Sequence, residues 1–233
     1  MQELLDIFRS LDWSPLWISL KTGVVATILC FFLGLWAARG VLRLGSRARA
    51  VIDGFLTLPM VLPPTVAGFF LLLIFSLRRP FGSYLYHEMG IKVVQTWLGC
   101  IIAASVIAFP LMYRNARAAF EQVDENLIYA GRTLGMSEGE IFRRVVIPTA
   151  RPGIVSGAIL TFARALGEYG ATSMLAGNIA GKTGTISQKI ATAIVQNGDY
   201  VTAGIWVAVV MLIAFGIVVL MNLTTGGKRE RRW

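Results

Sequence analysis

Two opposite charges stand inside a stretch that is otherwise almost wholly apolar. Arg164 and Glu168 are four residues apart in the run from Gly153 to Leu175, so on a helix they share a face and can pair. Charge in such a setting is expensive and faces a bundle interior or water. The pair either locks helices together, or it stands beside a polar path, with Arg164 drawn to an anion and Glu168 restraining it. Tyr169, Thr172 and Ser173 add hydroxyls nearby. A second unusual group is Pro59, Pro63 and Pro64, within Leu58-Pro59-Met60-Val61-Leu62-Pro63-Pro64. Each proline removes an amide donor and crowds the preceding turn, so this segment is kinked or broken. Its freed carbonyls need a neighbouring helix or a watered cavity. A packing kink is one reading; three prolines so close together favour a hinge or path-lining segment.

Other chemistry is hard to find. Gly177-Asn178-Ile179-Ala180-Gly181-Lys182-Thr183 imitates a phosphate-binding loop, but has three residues between its glycines where that loop needs four, and it follows an apolar helix rather than a strand. Lone His87 has no carboxylate or cysteine cluster beside it and reads as a solvated surface residue. Cys30 and Cys100, the only cysteines, lie in apolar runs and read as small buried hydrophobes, with neither disulfide nor metal-ligand spacing. No nucleophile triad or paired carboxylates suggest catalysis, and no metal or cofactor site is expected.

The elements that position these residues follow from composition. Of 233 residues, 55% are hydrophobic and 15% charged, with a mean hydropathy of +0.65. A soluble domain carries about a quarter charged residues, so an ordinary cytosolic enzyme is excluded. The net charge of +9 points to a membrane protein with cations gathered on one side rather than to nucleic acid. A bilayer core needs about 20 apolar residues in a helix. Five stretches qualify: 16–38, 55–77, 93–113, 153–175 and 201–223. The first is too long for a signal peptide and is followed at once by Arg39, Arg43, Arg47 and Arg49. The expected fold is an all-α polytopic bundle.

Fourteen of the 22 cations fall in the first loop, the central loop and the tail, and six on the opposite side. The N-terminus is therefore expected outside and the C-terminus in the cytoplasm. Residues 1–15 read as an amphipathic segment on the outer surface, with Leu4, Ile7, Phe8 and Leu11 on one face. Ser14-Pro15 reads as cap and first-turn proline. Residues 16–223 form the transmembrane domain and 224–233 a basic cytoplasmic tail. Gly153 and Gly157 make a small-xxx-small pair suited to close helix packing.

The central loop, 114–152, is the longest cytoplasmic connection. Ala116 to Leu134 reads as helix closed at Gly135. Ser137 and Glu140 form a capping box, and a second helix runs through Val146 and stops before Pro148. Two short helices about a tight turn would make a knob that a soluble partner could grip.

Here the sequence resembles a known family. Tyr129-Ala130-Gly131-Arg132-Thr133-Leu134-Gly135, nine residues, then Val145-Val146-Ile147-Pro148 is similar to the EAA loop of bacterial ABC importer permeases. That pattern reads Glu-Ala-Ala, three residues, Gly, nine residues, Ile-x-Leu-Pro; Tyr129 replaces the glutamate and Gly131 the second alanine. The proline segment continued to Gly68, the stretch Phe162 to Thr172, and the loop Ala176 to Thr183 resemble molybdate permeases, with sulfate and tungstate permeases sharing parts.

The resemblance implies a coupling helix at Tyr129 to Gly135, with Pro148, seated in an ATP-hydrolysing subunit. It also implies a homodimer, two such subunits carrying ATP and Mg, and an extracytoplasmic oxyanion-binding protein. Alternating access to molybdate, in a bacterial inner membrane, would follow. Pro59, Pro63, Pro64, Arg164, Glu168, Tyr169 and Thr172 are the residues expected at the path or gate. A secondary anion transporter would favour inverted repeats, which the five spans do not show. A membrane-embedded enzyme lacks a catalytic constellation.

Overall fold

A computed structural model describes residues 11–226. Residues 1–10 of the outer-surface segment expected over 1–15, and the cations of the tail, lie outside the described residues; Ser14 and Pro15 belong to the first helix. Within them every element is helical. In order these are α1 (Ser14–Leu42), α2 (Ser46–Val61), α3 (Pro64–Phe75), α4 (Pro80–Met89), α5 (Trp97–Glu121), α6 (Glu125–Thr133) and α7 (Glu138–Ile141). A π-helical turn, Phe142–Val146, leads into α8 (Ile147–Leu166), followed by α9 (Gly170–Leu175), α10 (Ile186–Val195) and α11 (Tyr200–Gly226).

Among the described residues four helices are long and apolar enough to cross a membrane, and α2 with α3, bent by 107°, makes a fifth candidate if the pair is counted as one span. This is the expected all-α bundle, with four or five of the expected spans according to how the bent pair is counted. α1 has its cap one step earlier than the sequence suggested. Ser14 is already helical, and its amide and hydroxyl donate to the Asp12 carboxylate at 2.9 and 2.8 Å. α11 opens on Asp199, whose carboxylate accepts the Thr202 amide at 2.9 Å. Hydrogen bonds from Thr202 hold that carboxyl below its ordinary range.

The core is a trio of α1, α5 and α8 joined through small residues. Ala26, Cys30 and Ala38 of α1 meet Ala104, Ala108, Met112 and Ala116 of α5, with Ala150 and Ile154 of α8 closing the set. Lipid tails are as apolar as leucine, so attraction between such helices comes from close approach and packing. A Cβ on Gly153 would lie 2.7 Å from Ala119 Cβ, and one on Gly157 2.7 Å from Asn115 Cβ. The small-xxx-small pair therefore joins α8 to α5 within one chain. A second, smaller core gathers Ala67 and Leu71 of α3, Ala103 and Ile107 of α5, and Ala171 and Leu175 of α9. α11 buries little besides Ala203 and Trp206, and its other large apolar side chains, such as Met211, Leu212 and Phe215, are exposed. Both cysteines are buried, as expected.

Three expectations about breaks are corrected. The helix expected over 116–134 is two helices, α5 and α6, divided where Asp124 accepts the Asn126 amide at 2.8 Å and caps a new helix. The helix expected to stop before Pro148 does not stop. Proline lacks an amide donor, and the π turn widens the backbone just ahead of it, so the chain runs on into α8. The span expected over 153–175 is interrupted at Gly167-Glu168-Tyr169, between α8 and α9.

Candidate functional site

One end of the bundle carries a knob made of α6, α7 and the π turn. α6 closes in a Schellman motif: the Met136 amide donates to Gly131 O at 3.1 Å and the Gly135 amide to Arg132 O at 3.0 Å. Gly135 has φ +75°, a left-handed conformation that glycine adopts without the Cβ penalty. The capping box then starts α7. Glu140 N–H donates to Ser137 Oγ at 3.3 Å, and Glu140 Oε2 accepts the Ser137 amide at 3.0 Å. Gly131 lets α6 lie against α7, since a Cβ there would be 3.0 Å from Ile141 Cγ1. Arg132 Nε donates to Glu138 Oε1 at 2.7 Å across the turn, which raises the arginine's already high pKa.

The knob's tip is apolar and open. Leu134 is 80% exposed and Tyr129 54%, with Leu127 also outward. Ala130 and Thr133 share the exposed helix with Tyr129, while Pro148 lies in the first turn of α8, at the knob's base.

The bent span holds the second constellation. α2 ends at Val61, with Leu62 extended after it, and α3 begins at Pro64. Pro63 O accepts the Val66 amide at 2.9 Å, and Pro64 sits at the first helical position, where no donor is required. Two of the three prolines are thus placed where their missing amides cost nothing, and only Pro59 is interior to a helix. α3 then seats tightly on α9. A Cβ on Gly68 would lie 2.6 Å from Ala171 Cα, and one on Gly170 2.9 Å from Pro64 Cβ.

A cavity of about 250 Å³ opens at this break, lined by Pro59, Met60, Leu62, Pro64, Ile107, Leu111 and Arg164. Arg164 Nη1 donates to Glu168 Oε2 at 2.7 Å; the arginine side chain is 34% exposed and the glutamate 2%. Glu168 Oε1 also accepts the Ala171 amide at 2.8 Å. The expected pair therefore forms, although it bridges the end of α8 and the start of α9 rather than one continuous helix. Pro59, Pro64 and Arg164 meet in one cavity with Glu168 behind them; Pro63 supplies the bend.

Tyr169 and Thr172 go elsewhere. Thr172 is buried. Tyr169 borders a separate polar pocket of about 250 Å³ with Ser173, Asn178, Gln188 and Thr192. The glycine-rich loop beside it is a compact turn. Thr183 Oγ1 accepts the Ile179 amide at 2.9 Å and donates to Gly177 O at 3.2 Å.

Two polar groups were missed by reading the sequence. Tyr113 and Arg117 of α5 both donate to the Asp53 carboxylate of α2, and Arg117 Nε also reaches Glu121 at 3.0 Å. This cluster ties the first half of the bent span to α5. Asp53 sits at the edge of an apolar run, where hydropathy simply starts the span after it. The second group is Gln188, whose amide nitrogen donates to Gly177 O at 2.9 Å and whose oxygen accepts the Thr185 amide at 2.9 Å. Thr185-x-x-Gln188 is a capping box, and that signal was present in the sequence.

Residues 31–225 match the family described as binding-protein-dependent transport system inner membrane component. The chain is 39% identical over 187 residues to the molybdenum transport system permease protein ModB of Escherichia coli (strain K12), covering 80% of this chain and 82% of that one. It is 36% identical over 210 residues to the putative molybdenum transport system permease protein YvgM of Bacillus subtilis, covering 90% and 92%. The sulfate transport system permease protein CysT of Salmonella typhimurium is 33% identical over 208 residues, covering 89% and 74%.

Among solved structures, a bacterial ABC transporter involved in the import of the acidic polysaccharide alginate superposes with a TM-score of 0.74 at 14% identity, over 99% of this chain and 84% of that one. The inward-facing MetNI methionine ABC transporter gives 0.64 at 20% identity, over 91% and 94%. With the bent bundle and the capped knob in place, the chain belongs to the binding-protein-dependent transport family of inner-membrane components and is a multi-pass permease subunit of an ABC importer.

Proposed function

We propose that this permease carries molybdate, as a homodimer served by two ATP-binding subunits and an extracytoplasmic oxyanion-binding protein. The observation that carries the reading is the placement of Arg164. Its guanidinium lines the cavity at the break of the bent span while its partner carboxylate is buried behind it. Molybdate is a tetrahedral dianion. A lone arginine would hold it too long; a neutralised one attracts it weakly and lets it leave. Selectivity is then left to the binding protein. In this reading Pro59, Pro63, Pro64, Arg164 and Glu168 form the path or its gate, with Tyr169 and Thr172 supporting the segment after the break.

Tyr129 to Gly135, with Pro148, are the residues that meet the ATPase. ATP and Mg are bound by that partner, and this chain contributes no nucleotide, metal or catalytic site. In this reading the knob end faces the cytoplasm and the N-terminus lies outside, the orientation that the cation bias favours.

The test is uptake of labelled molybdate by cells with and without this chain, its partners present, against excess tungstate or sulfate. Uptake that needs the chain and ATP and resists sulfate is expected. The 33% relationship to a sulfate permease supports a second reading, in which sulfate competes fully at equal concentration.

A further inference from the structure

The two halves of the bent span are held very differently. α3 buries Ala67, Gly68 and Leu71 among its twelve residues, and Gly68 lets it lie directly against the backbone of α9. α2 has sixteen residues and buries none of them within the chain. Its apolar contact with the core comes from Ile52 and Leu56, both only partly covered. Cavities flank it on two faces. One, of about 310 Å³, is apolar and lies between Phe55 and Pro59 of α2, Cys30 of α1 and Phe109 of α5. The other, of about 340 Å³, is bordered by Asp53 and Thr57 together with Arg114 and Glu121 of α5. Between the halves Leu62 and Pro63 are extended, and neither Pro63 nor Pro64 has an amide to tie α3 back onto α2. A helix with space on two faces can swing where close packing would forbid it.

What pins α2 is Asp53. Its carboxylate accepts from Tyr113 and Arg117 of α5. The ion pair is neither sealed nor open, the Arg117 side chain being 24% and the Asp53 side chain 22% exposed. A sealed pair is costly to part because a lone charge stays buried; a fully open one holds little. Each charge also has a second partner on its own helix. Arg117 Nε already donates to Glu121 at 3.0 Å, so the arginine stays paired when Asp53 leaves. Arg49 stands four residues before Asp53, on the same face of α2, and among the described residues its Nε has no hydrogen-bond partner. Parting the pair therefore orphans neither charge, and the Tyr113 hydroxyl is left facing a cavity large enough for water.

We propose that Asp53 is the latch of a two-position arm. α2 swings about Leu62-Pro63, with Asp53 on Tyr113 and Arg117 in one position and beside Arg49 in the other, while α3 stays seated on α9. The latch lies on the knob side of the break, since α5 ends at Glu121 and α6 begins at Glu125. The arm therefore opens or closes that end of the path. This last role rests on the transport reading above; the two positions of α2 do not.

Cys30 is a built-in reporter. It is 1% exposed and lines the apolar cavity beside α2, whereas Cys100, equally buried, faces Thr183. In the purified importer complex in nanodiscs, alkylation of both by membrane-permeant N-ethylmaleimide is followed by peptide mass spectrometry, with and without ATP and vanadate. Cys30 is expected to label at different rates in the two states, with Cys100 unchanged. Tyr113→Phe raises the Cys30 rate about tenfold, as loss of a hydrogen bond to a charged group does. Glu121→Gln, which takes away the second partner of Arg117, lowers it about twofold. In Tyr113→Phe, ATP hydrolysis without molybdate rises and uptake falls.

Equal Cys30 rates in both nucleotide states of the unaltered complex overturn the arm. So does a Tyr113→Phe rate equal to that of the unaltered complex, or a Cys100 rate that rises in step with Cys30, which would mean general loosening. Cys30 rates that follow the latch while no oxyanion is taken up keep the two positions and remove only the transport reading.

Discussion

Arg164 and Glu168 differ in what each loses when changed. Glu168→Gln keeps an oxygen for the Ala171 amide but leaves the arginine charge unbalanced, so the anion is held more firmly. The expected outcome is a lower KM for uptake together with a lower maximal rate. Arg164→Gln leaves the nearly buried carboxylate without its cation. Because the arginine is partly open to water, this costs on the order of 1–3 kcal/mol rather than the larger penalty of a sealed pair, and uptake falls with KM raised. Initial rates over a range of molybdate concentrations separate the two, and equal effects on both parameters would remove the pair from the path. At the knob, no atom lies within 4 Å of a Cβ built on Gly135, so a large side chain there meets only solvent or the partner. The left-handed backbone adds about 1–2 kcal/mol of local strain. Gly135→Trp is therefore expected to give a folded permease, with unchanged gel-filtration behaviour, in which uptake drops at least tenfold and ATP hydrolysis no longer responds to substrate. Undiminished uptake would count against the coupling role. These residues were readable beforehand because their signals are short: i,i+4 spacing, a glycine after a helix, Ser-x-x-Glu. Asp53 was not, since its partners Tyr113 and Arg117 are about sixty positions away and only folding unites them.

Helices in this bundle are held by what they lack. Gly157→Leu drives a side chain into Asn115 of α5, and overpacking of this kind costs about 1–3 kcal/mol. Gly216 of α11 has nothing within 4 Å, so Gly216→Leu is expected to be neutral. Thermal unfolding of the two variants in detergent tests the contrast; equal melting temperatures would show that α5 and α8 are not joined there. The spans were evident from sequence because lipid demands long apolar runs irrespective of tertiary contacts. Their interruptions were harder. The proline break declared itself, but the gap between α8 and α9 depends on Gly68 and Gly170 accepting a neighbouring backbone, and nothing local to Gly167 announces it. Pro148 misled in the opposite sense, because a π turn spares the helix that a proline ordinarily ends.

For the molecule as a whole, sidedness is the property on which every functional statement leans. Both native cysteines are buried, so single exposed cysteines can be read against a quiet background. Lys182→Cys is expected to react with an impermeant maleimide added to intact spheroplasts. Arg143→Cys is expected to react only after the membrane is opened; the reverse pattern would invert the topology. From Glu138 to Leu166 the chain runs without interruption through α7, the π turn and α8, a shaft of roughly 43 Å. The Schellman turn and capping box clamp its outer tip by main-chain bonds, and Arg164 stands near the other end. A shaft clamped at one end transmits torque. Tilting it by about 5° about its tip would carry the far end through nearly 4 Å at that length, about the thickness of one side chain. The π turn and Pro152, which lacks an amide donor inside α8, are its compliant joints, and their stiffness sets how much of the stroke made at the tip arrives at the arginine.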